Sequence, residues 1–431
     1  MNTPREYDAC LRAMYGMRRF GIKLELATIR RILKGLGDPQ RSFRAIHVAG
    51  TNGKGSIASA LSTILNGAGY RTGLFTSPHL VRFNERIRVN GREIEDDAVV
   101  EAYKAVQSVA PGERDPTFFE FSTAMALYEF ARREVQWAVV ETGMGGRMDA
   151  TNLLEPALSI ISNISLEHRE YLGTTIARIA YEKAGIIKPG VPVVTGVRQK
   201  SAIAAIEQVA RERSAPLYRF KDGFRARRGK TGAFTYYGLD HVWKGMRSGL
   251  AGGFQVDNAA LVLAASELLM RQGVELTRET VGNGLTANQW PGRLEVVSES
   301  PYILLDGAHN FMAARNLGRF LAESFPGRRV TLVVGILDDK PYQAMLKSLL
   351  PACTRLIATR AEIGRALPPE TLAEAAAGRV PDITLIPDVA TAVDHAIGNA
   401  HPDEVICIAG SLYVVGEARA ALARAGYLTT P

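Results

Sequence analysis

Apolar and polar positions along the chain fall into two recurring periods, and these outline its elements. Leu24, Leu26, Ile29, Ile32 and Leu33 stand at helical spacing, so residues 24–35 predict a short amphipathic helix. An apolar run, Ile46 to Ala49, then meets a glycine-rich turn, and a helix-like segment follows to about Ala68. Tyr70 to Thr76 predicts a second strand, and the Pro, Asn and Gly content of Ser77 to Arg92 predicts an ordered loop and hairpin. Residues 118–133 form a helical pattern, Trp137 to Glu141 a short apolar strand with an acidic end, and Leu158 to Ile164 another strand. Helix and strand alternate throughout, which argues for a parallel sheet covered on both faces.

The register changes at Trp290-Pro291-Gly292-Arg293, a breaker-rich link. Beyond it, strand-like runs recur at Tyr302–Leu305, Val330–Val334, Arg355–Thr359, Ile383–Ile386 and Val405–Ala409. Alanine-rich helical segments at 311–324, 369–378 and 412–425 separate them. The pattern predicts domains at 1–289 and 296–431 joined by a linker at 290–295. The second is a smaller, doubly wound, Rossmann-like α/β domain without a GxGxxG fingerprint.

At 431 residues the chain exceeds one typical core, which fits two domains. A hydrophobic content of 46% with 22% charged residues describes an ordinary globular protein. The net charge of +8 suits anionic small ligands at least as well as nucleic acid. There is no basic tail, and Arg225-Ala226-Arg227-Arg228, followed by Lys230, reads as a solvated loop. Cys10, Cys353 and Cys407 offer neither a disulfide framework nor metal-ligand spacing. With no hydrophobic signal core between Met1 and Arg12, and no apolar stretch near the ~20 residues that span a bilayer, the expected setting is the cytoplasm.

Gly50-Thr51-Asn52-Gly53-Lys54-Gly55-Ser56 carries the clearest chemistry. Glycines let successive backbone N–H groups point into one concavity, and the helix that follows adds the positive end of its dipole. Lys54 can reach terminal phosphates and the Ser56 hydroxyl can ligate Mg²⁺. The spacing departs from GxxxxGK[ST], because position 48 is Val and Gly55 separates the lysine from the serine. The first domain is therefore expected to be a P-loop ATPase domain that binds a nucleoside triphosphate.

Open α/β sheets place ligands at the ends of their strands. Ser77, Glu141 and His168 each follow a strand, and a hydroxyl, a carboxylate and an imidazole beside a phosphate loop could form a Mg²⁺ site. Taken singly, Glu141 could instead cap the next turn, and His168 could simply be hydrogen-bonded. Lys183, on a helical segment, is by default a surface residue. Asp306-Gly307-Ala308-His309-Asn310 ends an apolar strand and could reach a nucleotide or form an Asx-type turn.

Gly50–Ser56, Thr76-Ser-Pro-His-Leu80, Phe83-Asn-Glu-Arg-Ile87 and Glu141 through Asn152, taken together, resemble folylpolyglutamate synthase. So do Glu182-Lys-Ala-Gly-Ile186, Pro291-Gly-Arg293, Asp306–Asn310 and Gly410-Ser-Leu-Tyr-Val-Val-Gly416. That family belongs to the ATP-dependent Mur ligase superfamily, and its bacterial members often have dihydrofolate synthase activity as well. The resemblance implies that Gly50, Thr51, Asn52, Gly53, Lys54, Gly55 and Ser56 cradle the ATP phosphates. It implies that Ser77, Glu141 and His168 hold Mg²⁺, with Ser56 assisting. Lys183 matches a lysine that is carbamylated in the family. Asn258, Arg293, Asp306 and His309 match nucleotide contacts, and Thr117, Phe119, Asp149 and Ala150 match pterin contacts in bifunctional members.

The chain departs from the family pattern at Leu24-Glu25-Leu26, Glu167-His168, His309-Asn310-Phe311 and Asp339-Lys340-Pro341. The implied reaction joins L-glutamate to the carboxylate of dihydropteroate, of folate glutamates, or of both, through an acyl phosphate. Lys54, Glu141, His168 and Lys183 would carry the catalysis, and the expected partners are small molecules acting on a monomer. A Mur-type ligase for a UDP-linked precursor is the nearest rival. A guanine-nucleotide switch would need an Asn-Lys-x-Asp motif, which is absent. A nucleic-acid-binding ATPase would need a basic stripe with interleaved aromatics.

Overall fold

The computed structural model describes residues 4–17, 25–229 and 232–428. Leu24 of the predicted first helix and Lys230 of the arginine-rich run lie outside the described residues, as do residues 1–3 of the polar N-terminus. The described part of that first amphipathic pattern is helical over Ala27–Gly35, with Ile29, Ile32 and Leu33 buried.

The chain divides into two compact units. One is drawn from Met1–Ser77, Phe83–Gly249 and Gln255–Gln289, the other from Pro78–Arg82, Leu250–Phe254 and Trp290–Pro431. Two short segments at 78–82 and 250–254 thus belong with the second unit, which nothing in the hydrophobic pattern announces. Their anchors are local. Leu80 packs with the second unit's core, and its carbonyl lies 2.1 Å from where a Cβ on Gly416 would stand.

The first unit is built on strands β1 (Arg44–Ala49), β2 (Thr72–Phe75), β3 (Ile87–Val89), β4 (Arg92–Glu93), β5 (Trp137–Glu141), β6 (Pro156–Ile161), β7 (Val193–Thr195) and β8 (Leu217–Arg219). They form one sheet in the order β4-β3-β2-β5-β1-β6-β7-β8. The pairings from β2 to β8 are parallel, while β3 and β4 add an antiparallel edge. That edge is the predicted hairpin, turned at Asn90 and Gly91, both with positive φ. Beyond exposed Arg44, every residue of β1 and β5 is buried. A parallel strand covered on both faces reads as an unbroken apolar run for that reason. Helices Asp96–Val109 and Phe118–Arg132 pack on one face with Val99, Phe121 and Phe130, in one cluster with Ala45 of β1; helices Ile176–Ala184 and Lys200–Glu212 pack farther along the same face with Ile179 and Ile206, in one cluster with Ala49.

The solvated loop expected at Arg225–Arg228 is instead a strand. β9 (Arg225–Arg228), β10 (Phe234–Tyr237) and β11 (Val242–Met246) form an antiparallel sheet in the order β11-β10-β9. Charge hid the signal. β10 buries Phe234 and Tyr236 on one face, and the Arg225 guanidinium stacks 4.4 Å above the Tyr237 ring. The buried carboxylate of Glu267 pins the β10–β11 turn by accepting from Tyr236 Oη (2.7 Å) and the amides of Leu239 and His241.

The second unit carries β12 (Glu295–Glu299), β13 (Tyr302–Leu305), β14 (Val330–Val334), β15 (Arg355–Ala358), β16 (Asp382–Leu385) and β17 (Val405–Ala409). Their order is β12-β13-β17-β14-β15-β16, parallel except for β12. Hydrophobic clusters lie on both faces, as a doubly wound layer requires. Among the described residues no helix is long and apolar enough to cross a membrane.

Helix Lys54–Gly67, which follows the glycine-rich turn at residues 50–53, is crossed closely by helix Arg278–Ala287. A Cβ on Gly284 would stand 2.8 Å from Ile64 Cα, a backbone atom that cannot swing aside. Gly284→Ala is expected to lower stability by about 1–3 kcal/mol through overpacking. An unchanged melting temperature would show that the crossing is looser than this.

Candidate active site

The strand β1 ends in a turn whose backbone only glycine accepts. Gly50 has φ +143°, and a Cβ there would lie 1.9 Å from Ser162 Oγ. Gly53, at φ +85°, heads helix Lys54–Gly67, and a Cβ on it would lie 2.7 Å from Asn258 Oδ1. No side chain caps this helix. The amides of Lys54, Gly55 and Ser56 have no carbonyl one turn back, so they form a positive end that favours an anion.

The rest of the loop is committed internally. Thr51 N–H donates to the Asn163 carbonyl (2.8 Å) and Asn52 N–H to Asn163 Oδ1 (3.0 Å). The Asn52 carbonyl accepts from Asn163 Nδ2 (2.8 Å) and Ser162 Oγ (2.7 Å). The Thr51 hydroxyl accepts from Ser165 N–H (3.0 Å). Reading Gly50–Ser56 as one continuous cradle overlooked this, because the partners lie more than a hundred residues away.

Lys54 Nζ stands 3.7 Å from the carboxylate of Glu141 and 3.3 Å from the Thr51 carbonyl to which it donates. Glu141, 5% exposed at the end of β5, also accepts from Ser77 N–H (3.2 Å). Ser77 and Glu141 therefore share one place beside the loop. His168 is exposed, at φ +45°, and heads the short helix Arg169–Leu172 beside Glu167.

Lys183 is the residue whose sequence default is most mistaken. It is 1% exposed, and its Nζ donates to the Gly50 carbonyl (2.9 Å) and to Glu167 Oε1 (2.7 Å). Burial lowers the Lys183 ammonium, with the Glu167 charge opposing. Burial would raise the Glu167 carboxyl, but Lys183 and then Lys54 hold it down to about 2. Glycine contacts set this geometry. A Cβ on Gly146 would meet the Lys183 carbonyl at 2.8 Å, and one on Gly185 would meet Arg147 Cα at 2.3 Å. The Arg147–Glu182 ion pair (3.0 Å) and Asn152 Nδ2, bonded to the Gly185 carbonyl (3.1 Å), close the same seam.

The residues matched to pterin contacts also gather. The Phe119 ring lies against Gly143, where a Cβ would approach it to 2.5 Å. Thr117 caps helix Phe118–Arg132 through a reciprocal capping box with Glu120. Asp149 is buried and accepts from Met144 N–H (2.8 Å), Thr151 N–H (3.1 Å) and the Thr151 hydroxyl; Ala150 is buried beside it. Burial raises the Asp149 carboxyl against those donors. Behind it, His47 Nε2 lies 2.7 Å from Thr151 Oγ1. Burial takes the His47 ring to about 3, so it stays neutral, and because the Thr151 hydroxyl gives its proton to Asp149, Nε2 is the donor of this bond.

In the second unit, Arg293, Asp306 and His309 come together around Gly307. A Cβ on Gly307 would lie 2.4 Å from Arg293 Nη1, and the Gly307 carbonyl bonds His309 Nδ1 (2.8 Å). Asp306 accepts from Leu294 N–H (2.9 Å), and Asn310 caps helix Phe311–Ser324. Burial pushes the Asp306 carboxyl up to about 6, against the Arg293 charge and two backbone donors. Among the described residues, one set of three His, Cys, Asp or Glu side chains has ligand atoms within 4.8 Å of one another: Asp240, His241 and Glu267. Its carboxylates are occupied by Arg271 and by the β10–β11 turn.

Comparison with known proteins shows the family. The Mur ligase middle domain matches residues 48–266, and the Mur ligase glutamate ligase domain matches residues 292–412. The chain is 36% identical to the dihydrofolate synthase/folylpolyglutamate synthase of Bacillus subtilis, over 94% of this chain and 96% of that one. It is 33% identical to the Escherichia coli protein of the same name, over 91% and 90%. Its fold matches Escherichia coli FolC in complex with DHPP and ADP, with a TM-score of 0.89 and 28% identity over 97% of this chain and 98% of that one. It also matches the Yersinia pestis bifunctional synthase complexed with AMPPNP and Mn ion, with a TM-score of 0.88 and 31% identity over 98% and 100%.

Asp306 gives a test of the second unit's electrostatics. Its value of about 6 lies above the ordinary 3.8, so its contribution to stability is complete below about pH 4 and is lost as pH rises through 6. Asp306→Asn stays neutral and should gain on the parent by roughly 2–3 kcal/mol between pH 4 and pH 7 in urea unfolding. A difference that does not vary with pH would contradict the buried carboxyl.

Proposed function

The chain belongs to the dihydrofolate synthase/folylpolyglutamate synthase family of Mur ligases, and we propose that it joins L-glutamate to the carboxylate of dihydropteroate, of folylpoly-γ-glutamate, or of both, with cleavage of ATP. The observation that carries this reading is the Lys54–Glu141 pair, 3.7 Å apart, beside an uncapped helix N-terminus. A cation, a carboxylate and free amides at one strand end suit a metal-bound polyphosphate better than any neutral ligand.

A carboxylate is a poor electrophile toward an amine and must first be activated. Its oxygen attacks the γ-phosphorus of ATP, the bond to the β-phosphate oxygen breaks, and ADP leaves an acyl phosphate behind. The amino group of glutamate then attacks the acyl carbon, phosphate departs, the nitrogen gives up a proton and an amide remains. Lys54 and the amides of Lys54, Gly55 and Ser56 stabilise negative charge on the transferring phosphoryl group, where catalysis is mainly positioning and electrostatics. Asn258, against Gly53 in the first unit, and Arg293, Asp306 and His309 in the second are proposed nucleotide contacts. Thr117, Phe119, Asp149 and Ala150 are the proposed pterin contacts.

Glu141 and the hydroxyls of Ser56 and Ser77 fit Mg²⁺, a hard ion that takes oxygen ligands, and the exposed His168 would complete the set. Bound there, the ion would neutralise phosphate charge and polarise the phosphoryl oxygens. Lys183 is the proposed carbamylation site. A buried amine with a lowered pKa is more readily neutral, and the neutral amine adds CO₂, releasing a proton and leaving an anionic carbamate. The free, buried cysteines Cys10, Cys353 and Cys407 support a cytoplasmic setting.

Purified protein given ATP, Mg²⁺ and L-glutamate should release ADP when dihydropteroate or tetrahydrofolate is supplied. Lys54→Ala and Glu141→Ala should each lower that rate by about a hundredfold or more while the protein stays folded. A folded Glu141→Ala enzyme with near-normal turnover would contradict the site. Growth with ¹³C-bicarbonate should give one lysine carbamate signal by NMR, absent from Lys183→Ala. A signal that survives this substitution would place the modification elsewhere, and no signal in either protein would count against it.

A further inference from the structure

We infer that Asn163 is a positioning residue for the phosphate loop, withholding the amides of Thr51 and Asn52 so that phosphate meets those of the first helical turn. Asn52 N–H can bond only an acceptor, and the Asn52 carbonyl only a donor. Asn163 Oδ1 takes the first at 3.0 Å and Asn163 Nδ2 supplies the second at 2.8 Å. Both ends of the side chain are thereby assigned, without the usual ambiguity between its oxygen and nitrogen. The backbone carbonyl of the same residue holds Thr51 N–H at 2.8 Å.

A single residue thus engages three backbone hydrogen-bonding groups of two adjacent loop residues, and Ser162 Oγ adds a second donor to the Asn52 carbonyl at 2.7 Å. The arrangement acts on phosphate binding in two ways. It selects which amides are presented: those of Thr51 and Asn52 are engaged, and those from Lys54 onward remain at the helix end. It also keeps the Asn52 carbonyl, an acceptor that would repel phosphate oxygens, satisfied by Asn163 and Ser162. A loop held in its bound shape loses less entropy when the ligand arrives. An aspartate at position 163 would be nearly isosteric, but it would set an acceptor against the Asn52 carbonyl.

The inference rests on the reading that this loop binds a nucleotide, and the test separates the two. ADP binding is measured by calorimetry with Mg²⁺ for the parent, Asn163→Ala and Ser162→Ala. Amide exchange at Thr51 and Asn52 is followed in the same three proteins without nucleotide. Asn163→Ala should weaken ADP binding about tenfold while the KM for L-glutamate holds within about twofold, as expected for loss of one preorganising contact pair. Ser162→Ala, which leaves all three Asn163 bonds in place, should act in the same direction by about threefold, and it serves if Asn163→Ala does not fold.

The exchange pattern has an internal control. In Asn163→Ala the Asn52 amide loses its acceptor and should exchange about tenfold faster, whereas the Thr51 amide keeps its bond to the backbone carbonyl of residue 163. Unchanged ADP affinity, or equal losses for ADP and glutamate, would overturn the inference. So would exchange that rises equally at Thr51 and Asn52. A parent protein that binds no ADP would instead overturn the nucleotide reading, and exchange at the two amides would still decide whether Asn163 shapes the loop.

Discussion

The peptide groups of Gly50, Thr51 and Asn52 leave the buried end of β1, and each must find a hydrogen-bond partner where water is scarce. That requirement organises the first unit. Ser162 and Asn163, after β6, bond the Thr51 N–H and both groups of Asn52, Lys54 donates to the Thr51 carbonyl, and Lys183 donates to the Gly50 carbonyl. The lysine is thereby buried beside Glu167 and the phosphate loop. Its helix must then approach the loop after β5 closely, which explains the glycines at 146 and 185. A demand for backbone satisfaction and the geometry of the proposed catalytic centre share the same contacts.

Two carboxylates show how local surroundings set opposite charge states. Glu167 is largely shielded from solvent, yet it is held ionised by the lysines it faces. Asp306 is buried near one arginine and has two backbone donors, and there desolvation prevails. Each belongs to a loop that follows a strand of its own unit's sheet, where α/β folds place their chemistry. Burial alone therefore predicts neither state; the number and reach of the cations do.

Much of this was legible in the sequence. Strands covered on both faces read as apolar runs, and the glycines, lysine and serine of residues 50–56 have few other uses. Glu141 was legible as a strand-end carboxylate, and Ser77 as its neighbour. Lys183 was not, since a lysine on a short amphipathic helix looks solvated until the Gly50 carbonyl is seen above it. Asn163 and Ser162 were invisible for a similar reason. Their partners stand 111 and 110 residues away, and polar residues after a strand ordinarily signal only a turn. β9 was missed because its arginines resemble a solvated run, whereas the neighbouring strand supplies the apolar face. The seam of Arg147, Asn152, Glu182 and Gly185 could have been suspected from its glycines, which mark close backbone approach.

The central claim is that this site turns a carboxylate into an acyl donor by moving a phosphoryl group onto it. Isotope transfer tests that most directly. Dihydropteroate or tetrahydrofolate labelled with ¹⁸O in its reacting carboxylate is turned over with ATP and L-glutamate, and the inorganic phosphate is analysed by mass. The account predicts one ¹⁸O in each phosphate released, because the oxygen that attacks phosphorus departs with it. Phosphate free of label, formed together with the amide product, would mean that the carboxylate was activated in another way and would contradict the account.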